Sequence, residues 1–225
     1  MIKGLKICGV SDPETLNYIL NHNHKPTMIG FITNYKKSKR FVDYEKLKDL
    51  IKVDKKQVNF VSVLVNPDDV ILEKIKNLNF DYYQLYVVNP GWTKEIKSKF
   101  KKKIITAINV SNKDDVIKYR GYTEISDIIL FDSKGYHKSE SFDHSLLDEV
   151  PSELNKMIAG NIQIDDIPNL KNKDFIIDLS GALEDQNGKK DINKINKLLN
   201  LFKKIWNLKK NSSYWSRKFT WILWL

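Results

Sequence analysis

The chain has 225 residues, a formal net charge of +10 and one cysteine, Cys8. A single cysteine excludes an intramolecular disulfide framework and any site that needs several thiolates, such as a Cys-rich zinc module or an iron–sulfur cluster. The first residues lack the apolar stretch of a signal peptide, and no run approaches the roughly 20 apolar residues that a membrane span needs. We therefore expect one cytoplasmic domain with no membrane partner.

The positive charge is spread along the whole chain. Arg40, Arg120 and Arg217 are the only arginines among 38 basic residues, so lysine supplies nearly all of the charge. A nucleic-acid-binding protein concentrates its charge in one stripe with interleaved aromatic residues. The densest run, Lys101–Lys103, instead precedes an apolar stretch. This pattern favours a solvated lysine-rich surface over a nucleic-acid interface.

Short apolar runs rich in β-branched residues alternate with segments whose apolar positions recur every three or four residues. This alternation predicts strands that are each followed by a helix. The eight runs are Leu5–Cys8, Met28–Ile32, Val58–Val65, Tyr82–Leu85, Ile104–Val110, Ile125–Phe131, Lys156–Ala159 and Phe175–Leu179. Capping residues mark the helix starts, as where Asp12 stands before Pro13. The last helix is predicted to begin near Asp191, with an apolar face formed by Ile192, Ile195, Leu198, Leu199 and Phe202.

Eight strand–helix units are the number that closes a parallel sheet into a (β/α)₈ barrel. An open doubly wound sheet is the alternative. Such a sheet usually carries a glycine-rich first turn, whereas the segment Cys8–Asp12 contains a single glycine. We predict a barrel over residues 1–206 and an irregular tail, outside the barrel, over residues 207–225.

In a (β/α)₈ barrel, chemistry is carried by residues at the carboxyl ends of the strands and in the loops that follow. The polar or reactive residues at these positions are Cys8, Asn66, Gln84, Asn109, Asp132, Ser133, Gly160, Asn161, Asp178 and Ser180. A thiol and a carboxyl that face one cavity can serve as a base and an acid. The alternative for Cys8 is a small buried apolar side chain. Asp132 is harder to explain structurally, because a carboxyl at the end of a buried strand must cap a loop or bind a ligand.

The junctions after strands seven and eight contain small residues where barrels often bind phosphate through backbone N–H groups. Gly160 and Asn161 follow strand seven, and Ser180 and Gly181 follow strand eight. Tight turns are the alternative explanation for either glycine. The presence of both junctions favours a phosphorylated substrate held by these four residues.

Arg40 follows strand two, where it either pairs with a carboxylate of the ligand or faces solvent. His22 and His24 have no neighbouring cysteine or carboxylate cluster, which favours solvated side chains over metal ligands. His137 and His144 flank the loop after strand six and either touch the ligand or lie at the surface. We assign no metal site.

Taken in order, these residues resemble the phosphoribosylanthranilate isomerase family, (β/α)₈ enzymes of tryptophan biosynthesis. The resemblance runs through residues 3–202 and rests on Lys6–Val10, Gly30-Phe31, Ser38–Arg40, Val61–Asn66, Gln84-Leu85, Leu130–Ser133, Phe142-Asp143, Ala159-Gly160, Asp178–Ser180, Glu184 and Gly188–Asp191. It implies an Amadori rearrangement of N-(5-phosphoribosyl)anthranilate to the 1-deoxyribulose 5-phosphate product, without a metal or an organic cofactor.

The resemblance also implies roles for individual residues. Asp132 would be the acid that protonates the ring oxygen of the ribose, and Cys8 the base that removes the C2′ proton. Arg40 would meet the anthranilate carboxylate, while Gln84 and Asp178 would bind and orient the substrate. The acid needs apolar surroundings that raise its pKa, and the base needs nearby positive charge that favours thiolate.

The sequence departs from the family pattern near the expected substrate. Tyr86-Val87 stands where the family commonly has His-Gly, Lys134–Ser141 replaces a glycine-rich loop, and Asn161, Gly181 and Ala182 replace Gly, Ser and Gly. These changes leave two alternatives open, namely an isomerase of broader aminoaldose specificity and a non-catalytic barrel that binds a phosphorylated ligand. The oligomeric state, monomer or homodimer, is also open.

Overall fold

The computed structural model describes the backbone of residues 2–133 and 141–219, and the side chains of these ranges up to residue 207. Eight strands form one closed sheet, in which each strand pairs in parallel with the next and the last pairs with the first. The strands are β1 (Gly4–Cys8), β2 (Met28–Ile32), β3 (Asn59–Val65), β4 (Tyr82–Tyr86), β5 (Lys103–Val110), β6 (Ile128–Ser133), β7 (Lys156–Ile158) and β8 (Ile176–Leu179). The predicted (β/α)₈ barrel is confirmed.

Helices cover the outside of the sheet. They are α1 (Pro13–Asn21), α2 (Tyr44–Leu50), α3 (Asp69–Ile75), α4 (Pro90–Phe100), α5 (Lys113–Ile117), α6 (Ile167–Leu170) and α7 (Ile192–Phe219). Between β6 and β7 the described residues contain a single 3₁₀ turn, His144–Leu147, in place of an α-helix. Within the ranges that the structure describes, no helix is long and apolar enough to cross a membrane.

Side chains that accept hydrogen bonds start the helices at the predicted positions. The carboxylate of Asp12 accepts a hydrogen bond from the backbone N–H of Thr15 at 2.8 Å, and Asp191 accepts one from the N–H of Asn193 at 2.8 Å. Each carboxylate satisfies an N–H group that has no partner within its helix. Pro13 occupies the first helical position, where its missing N–H costs nothing.

Helix α7 extends further than the sequence analysis expects. Ile195, Leu198 and Leu199 are buried as predicted, but the helical backbone continues to Phe219, so residues 207–219 are helical rather than irregular. No glycine or proline interrupts residues 192–219, so nothing in the local sequence ends the helix. The barrel boundary at residue 206 stays a prediction.

Two apolar cores result from the alternation of side chains along each strand. The outer core lies between the sheet and the helices and includes Leu5, Ile7 and Phe31. The inner core fills the barrel and consists of Cys8, Met28, Val61, Val63, Tyr82, Ile105, Ile128, Leu130, Met157 and Ala159. The polar residues near the carboxyl ends of the strands therefore rest on an apolar floor.

We predict that Tyr83→Phe does not destabilise the protein. Tyr83 on β4 is fully buried in the outer core, and its hydroxyl has no hydrogen-bond partner among the described residues. An unsatisfied buried hydroxyl costs about 1–3 kcal/mol, so its removal should leave the free energy of unfolding unchanged or about 1 kcal/mol higher. Urea denaturation measures this quantity.

Tyr122→Phe is the matched control, because the hydroxyl of Tyr122 donates to the carbonyl of Val88 at 2.7 Å. We expect that variant to lose about 1 kcal/mol. An equal loss in both variants would contradict the assignment of Tyr83.

Candidate active site

Toward their carboxyl ends, the inner faces of four strands become polar. The residues concerned are Lys6 and Cys8 on β1, Gln84 and Tyr86 on β4, Asp132 on β6 and Asp178 on β8. Residues two positions apart on a strand share a face, and parallel strands end at the same edge of the sheet. Closure of the barrel therefore gathers these side chains at one mouth, where their charges act on one another.

A buried ion pair lies between the first and last strands. The ammonium of Lys6 donates to Oδ2 of Asp178 at 2.6 Å, and their side chains are 0% and 5% exposed. Burial opposes the charged form of Lys6, but the charge of Asp178, helped by Cys8, outweighs burial and raises the pKa of Lys6. The sequence analysis proposed Asp178 as a site residue but missed Lys6. The signal was available, because Lys6 lies two residues before Cys8 and so shares its face.

The thiol of Cys8 points into the same space as the ammonium of Lys6. A Cβ atom at Gly30 would lie 2.9 Å from Sγ of Cys8 and 3.0 Å from Nζ of Lys6, so glycine makes room for both side chains. Burial raises the pKa of Cys8, and the positive charge of Lys6 offsets only part of that rise. The positive charge that a basic thiol requires is therefore present, but the resting side chain is the neutral thiol at pH 7.

Asp132 lies on β6 and receives a hydrogen bond from across the mouth. The hydroxyl of Tyr86 donates to Oδ2 of Asp132 at 2.9 Å. Burial raises the pKa of Asp132 to about 6, although the hydrogen bond from Tyr86 acts in the opposite direction. The carboxyl group is thus far easier to protonate near neutral pH than an exposed aspartate.

Two buried oxygen atoms at the mouth have no hydrogen-bond partner among the described residues. They are Oε1 of Gln84 and Oδ1 of Asp178. The other ends of these side chains are fixed, since Nε2 of Gln84 donates to the hydroxyl of Tyr86 at 3.2 Å and Oδ2 of Asp178 binds Lys6. An unsatisfied buried acceptor is costly unless a ligand supplies a donor. Gln84 and Asp178, two of the three predicted substrate-binding residues, therefore each present an acceptor without a partner among the described residues.

Arg40 takes part in a charge cluster at the edge of the mouth. Its guanidinium donates to both carboxylate oxygens of Glu184, through Nη2 at 2.8 Å and through Nε. The ammonium of Lys190 also donates to Glu184, at 2.7 Å, and to the carbonyl of Ser180 at 3.0 Å. Two cations and one anion leave a net charge of +1 beside β8. The sequence analysis did not anticipate that Glu184 pairs with Arg40.

The proposed phosphate-binding residues lie at the ends of two adjacent strands, because β7 pairs with β8. Gly160 and Asn161 have positive φ angles of 95° and 51°. At Gly160 a Cβ atom would lie 2.3 Å from Oγ of Ser133, so no other residue fits. The hydroxyl of Ser180 donates to the carbonyl of Cys8 at 3.0 Å, and Gly181 opens a short 3₁₀ helix.

The histidines have different positions. His22 contacts the backbone of His24 and the side chain of Asn196, away from the barrel mouth. His144 packs edge-on against Phe142, and burial lowers its pKa. His137 and the replaced loop over 134–140 lie outside the described residues. In the described part of the chain, no group of three or more His, Cys, Asp or Glu side chains is placed to hold a metal ion.

The fold and the site define the chain as a (β/α)₈ protein with a thiol, a carboxyl and an ion pair at the barrel mouth. Residues 5–201 match the family described as N-(5'-phosphoribosyl)anthranilate (PRA) isomerase, so the chain belongs to this family.

Individual relatives agree with this assignment. An N-(5'-phosphoribosyl)anthranilate isomerase of Rhizobium rhizogenes is 30% identical over 202 residues, covering 85% of this chain and 90% of the relative. The crystal structure of phosphoribosyl anthranilate isomerase from Thermotoga maritima is 25% identical, with a TM-score of 0.77 over 88% of this chain and 97% of that one. A further phosphoribosyl anthranilate isomerase structure is 24% identical, with a TM-score of 0.75 over 88% of this chain and 97% of that one. That structure contains reduced 1-(o-carboxyphenylamino)-1-deoxyribulose 5-phosphate.

The departure at Val87 leaves a strained backbone. This β-branched residue has a φ of 58°, in the left-handed region. Its side chain is 64% exposed, so burial does not offset the cost of that backbone conformation. The left-handed conformation costs about 1–2 kcal/mol for a residue with a Cβ atom, more than glycine loses in entropy on folding. We predict that Val87→Gly raises the free energy of unfolding by about 1 kcal/mol in urea denaturation.

Val70→Gly is the control for this substitution. Val70 is 76% exposed within helix α3, where its backbone is unstrained. The same replacement should there lower stability by roughly 0.5 kcal/mol, because glycine is a poor helix former. Destabilisation by both substitutions would show that the backbone at Val87 is not strained.

Proposed function

We propose that Cys8 and Asp132 are the base and the acid of an Amadori rearrangement of N-(5'-phosphoribosyl)anthranilate, the substrate for which the family is named. The observation that carries the proposal is the placement of the thiol and the carboxyl at one barrel mouth. The buried Lys6–Asp178 ion pair lies at the same mouth. The product is 1-(2-carboxyphenylamino)-1-deoxyribulose 5-phosphate, an intermediate of tryptophan biosynthesis.

The first step opens the ribose ring. Asp132 donates its proton to the ring oxygen, the bond from C1′ to that oxygen breaks, and the nitrogen lone pair forms the C1′=N bond of a Schiff base. In the second step, Cys8 thiolate removes the C2′ proton, the electrons of that C–H bond form the C1′=C2′ bond of an enolamine, and the π electrons of the C1′=N bond return to nitrogen. The C2′ hydroxyl proton then passes to the Asp132 carboxylate and the proton held by Cys8 passes to C1′, which gives the ketone and regenerates both groups.

At pH 7 the resting protonation states of Cys8 and Asp132 are the opposite of those that catalysis needs. The pKa of Asp132 is about 6 and that of Cys8 is above its ordinary value, so at pH 7 the carboxyl is mainly ionised and the thiol is neutral. Catalysis needs the proton on Asp132 and the charge on Cys8. The ammonium of Lys6 beside Cys8 stabilises the thiolate and so supports the minor, reactive form.

The remaining groups fit the two anionic ends of the substrate. The phosphate would bind the backbone at Gly160, Asn161, Ser180 and Gly181, next to the cluster with a net positive charge. Arg40 would share its guanidinium between Glu184 and the anthranilate carboxylate. A related structure holds a ligand that carries both a phosphate and a carboxyl group, which supports this arrangement.

The sugar hydroxyls would complete the binding. Oδ1 of Asp178 and Oε1 of Gln84 are two buried acceptors at the mouth that have no partner in the described part of the chain. A hydroxyl donated to each would satisfy them and orient C2′ toward Cys8. We further propose that the protein acts in the cytoplasm as a monomer or homodimer, on this small phosphorylated substrate, without a cofactor or a nucleic-acid partner.

We predict that Cys8→Ser and Asp132→Asn each lower kcat at least about 100-fold while the fold is retained, because each removes a proton-transfer group. Loss of substrate fluorescence measures turnover, and circular dichroism measures the fold.

Asp127→Asn is the control, because Asp127 lies at the opposite end of β6 and accepts a hydrogen bond from the N–H of Ile104 at 2.7 Å. It should keep kcat within about twofold.

Near-normal kcat in Cys8→Ser or Asp132→Asn would contradict the proposed role of that residue. Binding without turnover in the wild type would favour a non-catalytic barrel. Competition with other aminoaldose phosphates tests the broader isomerase.

The pH dependence follows from the two pKa shifts. Below about pH 6 both groups are protonated, so kcat should rise about tenfold per pH unit as thiolate forms. Above pH 6 the loss of the proton from Asp132, whose pKa is about 6, balances the gain of thiolate, and kcat should be flat. It should fall again at alkaline pH, where Cys8 itself ionises. If kcat instead stopped rising near pH 4, the ordinary aspartate range, the result would contradict this assignment.

A further inference from the structure

Tyr86 is a residue of the barrel mouth to which the proposed mechanism gives no role. It is the last residue of β4. Its hydroxyl lies between two site residues, receiving a hydrogen bond from Nε2 of Gln84 at 3.2 Å and donating one to Oδ2 of Asp132 at 2.9 Å. The side chain thus connects a fully buried amide on β4 to the carboxyl on β6.

We propose that Tyr86 is a positioning residue for the isomerase reaction, fixing the Asp132 carboxyl so that the transferred proton is carried by Oδ1 and not by Oδ2. The proposal rests on the assignment of Asp132 as the acid.

The direction of the hydrogen bonds supports this role. An amide nitrogen can only donate, so Gln84 must donate to the hydroxyl oxygen of Tyr86. The single hydroxyl proton of Tyr86 is then free to point at Oδ2 of Asp132. An oxygen that already accepts this proton is a poor site for a second one, so the acid proton resides on Oδ1.

The ionisation of Tyr86 does not disturb this arrangement. Burial raises the pKa of Tyr86 well above its ordinary value, and the negative charges of Asp132, Asp178 and Cys8 act in the same direction. The hydroxyl therefore remains a donor throughout the pH range of the reaction. Packing alone does not explain the choice of tyrosine, because phenylalanine fills the same apolar surroundings without a hydroxyl to satisfy.

The hydrogen bond also affects the pH at which Asp132 loses its proton. A donor to the ionised carboxylate favours that form, so loss of the Tyr86 hydroxyl should raise the pKa of Asp132. The other charges that act on Asp132 are Asp178, which raises its pKa, and Lys6, which lowers it. Both belong to the ion pair at the barrel seam and are unchanged when Tyr86 loses its hydroxyl. The effect of Tyr86 is therefore separable from theirs.

The test compares Tyr86→Phe with Tyr82→Phe. Tyr82 points into the barrel from the other end of β4, so the control removes a hydroxyl from the same face of the same strand, away from the mouth. The titration of Asp132 is followed by carbon-13 NMR of side-chain-labelled aspartate in the free protein, with Asp132→Asn assigning the signal. The pH profile of kcat and the KM are measured in parallel.

We expect Tyr86→Phe to raise the titration midpoint of Asp132 by about one pH unit and to move the acidic limb of kcat upward by the same amount. At pH 5, where Asp132 is protonated in both proteins, kcat should fall roughly tenfold because the carboxyl is no longer held in place. KM should change by less than about twofold, since Tyr86 does not bind the substrate. Tyr82→Phe should change none of these quantities.

An unchanged Asp132 titration in folded Tyr86→Phe would overturn the proposal, as would equal shifts in the two variants. Should Tyr86→Phe not fold, Gln84→Met removes the donor to the Tyr86 hydroxyl and keeps the buried volume. A smaller upward shift in that variant supports the proposal, and no shift overturns it. A wild type without turnover whose Asp132 still responds to Tyr86→Phe would refute the isomerase activity and leave the positioning role intact.

Discussion

The ion pair between Lys6 and Asp178 is the interaction on which the rest of the site depends. The two residues are register partners on β1 and β8, so the pair lies at the seam where the barrel closes. Removing one partner of a buried pair typically costs about 3–5 kcal/mol, whereas replacing both by apolar residues is often neutral. The pair is therefore better explained by its electrostatic effect on the site than by a contribution to the free energy of unfolding. It places a positive charge beside Cys8 and leaves one oxygen of Asp178 without a hydrogen-bond partner among the described residues.

At each of the two proposed reacting groups, one neighbour opposes the effect of burial on the pKa more strongly than the others. Burial raises the pKa of both Cys8 and Asp132, which keeps the thiol neutral and leaves more of the carboxyl protonated near neutral pH. Lys6 opposes this rise at Cys8, and Tyr86 opposes it at Asp132. The strongest counteracting group at Cys8 thus lies on β1 and that at Asp132 on β4, while Lys6 also lowers the pKa of Asp132.

The sequence predicted the strands and most of the mouth, because local periodicity determines which residues lie at strand ends. Lys6 was missed because a lysine inside an apolar run does not suggest a buried charge, although alternation places it beside Cys8. The contact between Arg40 and Glu184 joins residues 144 positions apart and has no local signal. The length of α7 was missed for the opposite reason. An aromatic-rich segment suggested an irregular tail, while the local sequence contained nothing to end a helix.

The seam has a consequence for how the protein emerges from the ribosome. β1 is synthesised first, but its partner strand β8 carries Asp178, which follows Lys6 by 172 residues. Until that last strand appears, Lys6 has no counter-ion and the first strand cannot be buried at low cost. Lys6 must therefore stay hydrated while the residues between β1 and β8 are synthesised, at elongation rates of about 5–20 residues per second. Synthesis of β8 therefore sets the earliest point at which the barrel mouth can assemble.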